Sequence, residues 1–415
     1  MNNTPKSLRL QIAIFGRTNA GKSSFLNLLA GQDAAITSPI PGTTTDVVEK
    51  AMELPPVGPV LFLDTAGLDD TTALGGKRIQ RTMQAFQRAD VAVLICDGDT
   101  FGAPEEEICR LAKEKNIPLL AVLNKCDLHP ASPGSAERLK QAGAGQVITA
   151  VASDRSRRDQ VLAEFKRAIL ALSPDDFLNA PPLLGDLIRP GETVVLIVPI
   201  DIQAPKGRLI LPQVQTLRDG LDHDAKMLVV KEDAYASLLD DFKRPPALVV
   251  CDSQVVHRMM RETPEQIPCT TFSILLSRLK GDMELMAQGA AAIDRLRPGD
   301  RVMIAEACTH HATEDDIGRM KIPRWLQKHL GFELDFQVCA GRDYPADLAE
   351  YKLVIHCGGC MFNRREILSR IQLAQQAGVP ITNYGMSISH AQGVLERALS
   401  PFPKALNAYL AAKKQ

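Results

Sequence analysis

Three thiols and three imidazoles fall in two short stretches of this chain. Cys308, His310 and His311 stand in one, and His356, Cys357 and Cys360 in the other. Thiolates with imidazoles nearby are the donors of zinc and iron–sulfur sites. Cys357-Gly358-Gly359-Cys360 puts two thiols on one tight turn, and its glycines let the backbone bend without steric cost. A different chemistry occupies the other end. Gly16-Arg17-Thr18-Asn19-Ala20-Gly21-Lys22-Ser23 has the G-x-x-x-x-G-K-S spacing of a phosphate loop. The glycines let backbone N–H groups curl around phosphates, and the positive end of the following helix adds to the attraction. The loop contacts expected are Gly16, Asn19, Ala20, Gly21, Lys22, Ser23 and Ser24. Lys22 neutralises the β/γ-phosphates, and Ser23 offers its hydroxyl to Mg2+.

Three further stretches specify GTP. Asp64-Thr65-Ala66-Gly67 ends an apolar run, where Asp64 can reach Mg2+ through water and Gly67 can offer its N–H to the γ-phosphate. Asn124-Lys125-Cys126-Asp127 ends another. Asp127 is placed to accept the ring N–H and exocyclic amine of guanine, a pattern that adenine does not present. Ahead of both, after the phosphate loop, Pro41-Gly42-Thr43-Thr44-Thr45-Asp46 is a polar loop in which Thr44 can close over Mg2+ when γ-phosphate is present. Lys22, Thr44, Asp64 and Gly67 are therefore the expected catalytic set. Segments 36–46 and 67–77 are the expected switches, and a fifth guanine-contacting loop is expected near 149–153.

The metal at the cysteines is open on residue types alone. Structural zinc wants four closed ligands, which Cys308, Cys357, Cys360 and either His310 or His356 would supply. An iron–sulfur cluster normally takes four cysteines. Three would leave one iron with a position for an incoming ligand. A thioredoxin-like redox pair fits poorly, because His356 precedes the pair and no helix start surrounds it. His311 competes with His310, since neighbours at a strand end point to opposite sides. Cys269 and Cys339 read as buried thiols, Cys251 and His257 as ordinary residues, His390 as a surface residue. Cys126 fills the variable position of the guanine motif.

Both sets need strand ends to position them. Runs at 8–15, 301–305 and 352–355 read as buried strands that stop just before the phosphate loop and the two cysteine stretches. A helix at 157–172 closes the first module, and Asn179-Ala180-Pro181-Pro182 reads as a linker. Strands then alternate with helices, which predicts small parallel sheets covered by helices. The fold class expected is α/β: a P-loop GTPase domain at 1–174, a small parallel α/β dimerisation domain at 183–264, and an α/β domain bearing the cysteine metal site at 268–415. The middle segment carries no chemical motif, which is why it is assigned to dimerisation.

The whole chain of 415 residues is long enough for two to four domains, is 45% hydrophobic and 23% charged, and carries a formal charge of −1. That balance offers no global attraction for nucleic acid or anionic membrane. No apolar run approaches the roughly 18–20 residues of a membrane span, and the first residues lack the features of a signal peptide. Nine cysteines in a chain of this size argue for a reducing compartment. Cytoplasm is the expectation.

GRTNAGKSSFLN and PGTTTD resemble the translation-factor-related GTPases, most closely the potassium-dependent group that includes the tRNA-modifying GTPase MnmE. The resemblance implies that Asn19 helps hold a K+ ion in place of an arginine finger. Leu68 occupies the position of the catalytic glutamine of Ras-like enzymes, so slow, cation-assisted hydrolysis of GTP to GDP is implied. RPGDRVMIAEACTHH and VIHCGGCMFNRREILSRIQLAQQAGVPITNYGMSI, behind a GTPase module, resemble the maturation GTPases of [FeFe]-hydrogenase, the HydF family. That likeness runs the length of the chain. It implies a [4Fe-4S] cluster on Cys308, Cys357 and Cys360, with His310 or His356 near the fourth site. It also implies a homodimeric scaffold or carrier for the di-iron subcluster precursor, working with the radical-SAM maturases HydE and HydG and delivering to apo-hydrogenase. Two rival readings are a tRNA-modifying or ribosome-associated K+-dependent GTPase with structural zinc, and a signalling switch whose third domain only docks a partner.

Overall fold

The computed structural model describes residues 4–31, 48–65, 75–178, 181–200, 209–307, 316–341, 344–345 and 347–414. It divides into two units, Met1–Ala180 and Pro181–Gln415. The first runs β1 (Leu10–Gly16), α1 (Lys22–Ala30), β2 (Val48–Leu54), β3 (Gly58–Asp64), α2 (Gly75–Arg88), β4 (Val91–Asp97), α3 (Ala103–Glu114), β5 (Leu119–Asn124), α4 (Ser135–Gln141), β6 (Gln146–Thr149), α5 (Arg158–Leu172) and α6 (Asp175–Leu178). Its sheet has the order β2-β3-β1-β4-β5-β6. Only β2 is antiparallel, paired with β3. Every position of β1 and β5 is buried, as expected of strands covered by helices on both faces. Phe25, Phe62 and Phe165 pack one face, and Phe15 stacks on Phe86 at 4.4 Å on the other. The chain leaves β1 toward the β3 side and later returns to β4 on the opposite side. The loop after β1 therefore opens at the topological switch point, where such sheets hold ligands.

The second unit runs β7 (Thr193–Ile197), α7 (Leu211–Asp222), β8 (Lys226–Val230), α8 (Glu232–Asp240), β9 (Leu248–Cys251), α9 (Val256–Glu262), β10 (Cys269–Thr271), α10 (Phe272–Lys280), α11 (Met283–Ala291), β11 (Arg301–Glu306), α12 (Ile322–Leu330), β12 (Asp335–Ala340), β13 (Leu353–His356), α13 (Arg364–Gln376), β14 (Ile381–Asn383), α14 (Tyr384–Ala391), α15 (Leu395–Ala398) and α16 (Pro403–Lys413). These strands form two four-stranded sheets, β10-β9-β7-β8 and β12-β11-β13-β14, parallel throughout. Strands of three to six residues make few ladder bonds, each worth a net of about 1 kcal/mol. Burial decides. Each large aliphatic side chain removed from water contributes about 1.5–3 kcal/mol, and every residue of β9 and β13 is buried.

One continuous apolar core joins the two sheets. The Arg397 guanidinium reinforces the join by donating to the carbonyls of Met260, Thr263 and Pro264. The middle sheet takes its fourth strand from Cys269–Thr271, beyond the 264 boundary expected for that segment. Three residues are too few for a strand period to register in sequence.

In the third sheet β12 lies outside β11 and β14 outside β13, so the strand order switches between β11 and β13. The two cysteine stretches leave the carboxyl ends of these two neighbours. Ala305 is the register partner of His356.

Candidate nucleotide and metal sites

The phosphate loop joins the end of β1 to α1. Asn19 and Gly21 both adopt positive φ, 63° and 93°. Gly21 also meets the Asn124 side chain so closely that a Cβ would lie 2.3 Å from Nδ2, so no larger residue fits. Asn124 holds the site together. Its Nδ2 donates to the Ala20 carbonyl at 2.8 Å, and its Oδ1 accepts from the Ala152 N–H at 3.0 Å. The side chain of the guanine motif thus ties the phosphate loop to the 149–153 stretch, where the fifth guanine loop was expected. Lys22 Nζ folds over the loop onto the carbonyls of Gly16 and Arg17, at 3.0 and 2.9 Å.

The expected Mg2+ residues meet. Ser23 Oγ donates to Asp64 Oδ2 at 3.3 Å, joining the first residues of α1 to the end of β3. The other carboxylate oxygen, Oδ1, is buried with no hydrogen-bond partner among the described residues. Burial raises the Asp64 carboxyl above its usual range, against the pull of the Lys22 charge and the Ser23 hydrogen bond. A buried carboxylate oxygen beside a serine hydroxyl fits a hydrated Mg2+, which prefers one or two carboxylates and several waters. Thr65, next in chain, is spent on structure, its hydroxyl donating to the Ile14 carbonyl at 2.6 Å. Lys125 pairs with Asp97 at 2.7 Å, and Asp127 is exposed. Thr44, Gly67, Leu68 and segment 36–46 lie outside the described residues, as does the 67–74 part of the second switch.

One contact had no signal in the motifs. Arg17 makes a bidentate pair with the buried carboxylate of Glu105, at 2.7 and 2.8 Å. That fork geometry fixes the loop against α3.

At the metal stretch, Cys357 and Cys360 are half-buried thiols on a turn where Gly359 takes φ 62° and packs on Ile367. Cys357 Sγ accepts the N–H of Ala307 at 3.1 Å, the residue just before Cys308. Both flanks of the segment carrying Cys308 are anchored. Glu306, 2% exposed, receives the Arg319 guanidinium at 2.8 Å, and Asp316 caps the turn Ile317–Lys321. Cys308, His310 and His311 themselves lie outside the described residues.

Two cations support the cysteine turn: Lys280 lies outside every motif, and Arg370 lies within the 354–388 stretch without a role assigned from sequence. Lys280, 3% exposed at the end of α10, donates to the carbonyls of Gly359, Cys360 and Phe362 at 3.1, 3.3 and 2.8 Å. Burial pushes its ammonium down to about 8. Arg370 on α13 donates to His356 Nε2 at 3.0 Å and to the Gly341 carbonyl at 2.5 Å, between the rings of Tyr344 and Phe362. His356 Nδ1 meets the Cys357 carbonyl at 2.6 Å. Both ring nitrogens are therefore occupied, and the imidazole is held neutral, its pKa pushed down to about 3 by burial and the Arg370 charge.

Five background expectations resolve. Cys251 and Cys269 are fully buried and His257 is exposed. Cys339 is only half-buried, because β12 is an edge strand. His390, expected at the surface, is 4% exposed. It can be buried because both its nitrogens have partners, Tyr409 Oη and Asp294 Oδ1, each at 2.9 Å.

Among the described residues no helix is long and apolar enough to cross a membrane. Residues 11–125 match the family model of the 50S ribosome-binding GTPase. Over this part the chain is 44% identical across 126 residues to the tRNA modification GTPase MnmE of Synechococcus sp. (strain JA-3-3Ab), covering 29% of this chain and 26% of that protein. It is 36% identical across 126 residues to GTPase Der of Kosmotoga olearia, covering 29% and 28%. The chain thus spans about a quarter of the length of these curated relatives. Among solved structures, Era in complex with MgGDPNP and a 16S ribosomal RNA fragment aligns at 22% identity with TM-score 0.33, covering 53% of this chain and 92% of that one. The G domain of T. maritima FeoB aligns at 19% identity with TM-score 0.31, covering 40% and 98%. Residues 183–281 match the hydrogen maturase F dimerization domain, and residues 284–401 match the hydrogen maturase F tetramerization domain. A GTPase domain followed by both of these domains in unbroken order places the chain in the hydrogen maturase F family.

Proposed function

We propose that this chain is a hydrogenase-maturation GTPase that binds and hydrolyses GTP and carries an iron–sulfur cluster from which a di-iron precursor is handed to apo-[FeFe]-hydrogenase. The observation that carries the reading is the Cys357–Cys360 turn beside the end of β11, at the switch point of a sheet in a hydrogen maturase F domain.

The donor set fits the cluster. Two thiols share one turn, a backbone N–H already points at Cys357 Sγ, and Cys308 follows that N–H by one residue. Soft thiolates suit iron–sulfur or zinc, and hydrogen bonds to sulfur offset thiolate charge. When bound, a cluster held by three cysteines offers one iron to an incoming ligand. Cys308, Cys357 and Cys360 would hold it, Lys280 would fix the turn, and His310 is the better candidate beside the fourth position because His356 is committed to Arg370. The di-iron unit, supplied through HydE and HydG, is cargo.

At the nucleotide site, the loop amides and Lys22 would bind the phosphates, and Ser23, Asp64 and Thr44 would hold Mg2+ and its water. Gly67 would sense the γ-phosphate, and Asp127 would select guanine. Asn19 would place a K+ ion against the developing charge. Nucleotide state would alter partner release through the switches rather than drive cluster chemistry. The dimerization-domain match supports a reading in which the middle sheet forms the dimer interface. Its edge strand β8 exposes Leu228 and Val229, an open seam for a second copy.

The test is maturation of apo-hydrogenase with wild-type chain and Cys357→Ala. Support is loss of hydrogenase activation in the variant with GTP turnover unchanged. Activation at the wild-type level by the variant would overturn the carrier role.

A further inference from the structure

Outside both sites, Asp294, His329 and His390 bring one carboxylate and two imidazoles together from three separate elements. Asp294 lies on the 3-10 turn Ala292–Arg295, His329 at the end of α12 and His390 near the end of α14. Their ligand atoms all lie within 4.8 Å of one another. His329 Nε2 and His390 Nε2 converge on the same oxygen, Asp294 Oδ1, at 2.7 and 2.9 Å. We propose that this trio is a binding site for one divalent first-row metal ion, of the zinc or cobalt type, held by two imidazoles and one carboxylate.

The geometry needs little change. Bonds of about 2.0–2.1 Å to nitrogen and oxygen in a tetrahedral site set the donors roughly 3.3 Å apart. The two imidazole–carboxylate separations would open by about half an ångström, a rotamer-scale adjustment for a half-exposed Asp294 and His329. The protonation states are also those a metal needs. The carboxyl is held below its usual range: burial pushes it up, but the hydrogen bonds from His329 and His390 outweigh that. Burial keeps the His390 imidazole below its usual value.

The outer partner is the second argument. With both Nε2–H groups donating to Asp294, His390 Nδ1 accepts from the Tyr409 hydroxyl at 2.9 Å. Metal binding requires the Nε2 lone pair, so the ring proton must move to Nδ1. A tyrosine hydroxyl can accept as readily as donate, and the Tyr409 bond therefore survives the change of tautomer. His329 is part-exposed and can turn its Nδ1–H to water. Such outer hydrogen bonds are the usual companions of metal-binding histidines. Lys413, a cation whose charge acts on His390, pairs with Glu396 at 3.0 Å, which reduces its repulsion. Asp294 leaves one side open to solvent, so a water or a small anionic ligand can complete the shell.

The test is Co2+ titration of the full-length chain, with absorption spectra separating nitrogen/oxygen-bound cobalt from cobalt on the cysteines, which shows thiolate charge-transfer bands. The proposal predicts about one equivalent of cobalt whose ligand-field bands come without thiolate charge transfer, separate from any cobalt on the cysteines. Asp294→Asn and His329→Gln should weaken that component about 100-fold or more, and Tyr409→Phe about tenfold. Both direct-ligand positions are part-exposed, so the variants should fold, and thermal unfolding in metal-free buffer checks this. Cobalt should raise the Tm of the wild type and not of the two variants. Thiolate-bound cobalt alone, or equal ligand-field binding in wild type, Asp294→Asn and His329→Gln, would overturn the site.

Discussion

Arg370 donates to Nε2 of His356 at 3.0 Å, and this pair sets the chemistry of the neighbouring cysteine turn. The arginine occupies one ring nitrogen, while the other meets the Cys357 carbonyl. His356 is thereby a brace between β13 and α13. His356→Ala should cost stability, about 1–3 kcal/mol from the buried groups left unpaired. The resonance signature of the cluster in the folded fraction should change little. His310→Ala should do the reverse, altering the signal with little loss of Tm. Chemical denaturation beside electron paramagnetic resonance separates the two, and a changed signal for His356→Ala alone would reassign the fourth position to it.

Lys280 makes a second prediction. Its ammonium satisfies three carbonyls of the Gly359–Phe362 stretch from within the core. Lys280→Met keeps much of the apolar stem and removes the donors, leaving buried carbonyls unpaired at a cost of about 3 kcal/mol. Iron retention after gel filtration should fall sharply, while GTP turnover stays at the wild-type rate. Full iron retention would show that the turn holds its shape without the lysine.

Much of this was legible in sequence, for physical reasons. Phosphate-loop and guanine motifs are local, so Gly16 to Ser24 and Asn124 to Asp127 announce themselves by spacing. Parallel strands such as β4, β5, β7 and β9 are near-continuous Val, Ile, Leu and Ala runs, and the ends of β11 and β13 flag the cysteines. What stayed hidden depends on pairs distant in sequence. Lys280 ends an amphipathic helix where a lysine ordinarily reaches water. His390 reads as polar and exposed until Asp294 and Tyr409 are seen to satisfy it. The Arg17–Glu105 fork joins residues far apart in the chain. Cys269–Thr271 is too short to show a period, yet it completes the middle sheet.

Guanine selection gives a third prediction. Asp127 is exposed at the end of the β5 loop, with Asn124 and Lys125 holding the backbone beside it. Asp127→Asn exchanges two acceptor oxygens for an acceptor and a donor. Affinity for GTP should fall by about 100-fold or more, with a gain for xanthosine triphosphate, whose base presents the complementary pattern. Fluorescent-nucleotide titration reads both, and unchanged GTP binding would remove Asp127 from the base site.

The K+ reading predicts that GTP turnover in potassium exceeds that in sodium, and that Asn19→Ala erases the difference. Asn19 adopts φ 63°, so Asn19→Gly is the control that keeps the backbone conformation accessible. Equal rates in the two salts would remove the cation from the mechanism.

Oligomerisation gives a fifth. Leu228 and Val229 are exposed on β8, which pairs only with β7 among the described strands. A lysine on an edge strand opposes pairing with a second copy. Leu228→Lys with Val229→Lys should halve the mass seen by light scattering while the Tm of the GTPase unit is unchanged. An unaltered mass would place the interface elsewhere.

The most direct test of the central claim is iron and sulfide analysis with electron paramagnetic resonance on the anaerobically purified, reduced chain, beside Cys308→Ala and Cys357→Ala. The account predicts about four irons and four sulfides per chain, with a reduced-cluster signal lost in both variants. One zinc without a signal, or a signal that survives both substitutions, would contradict it.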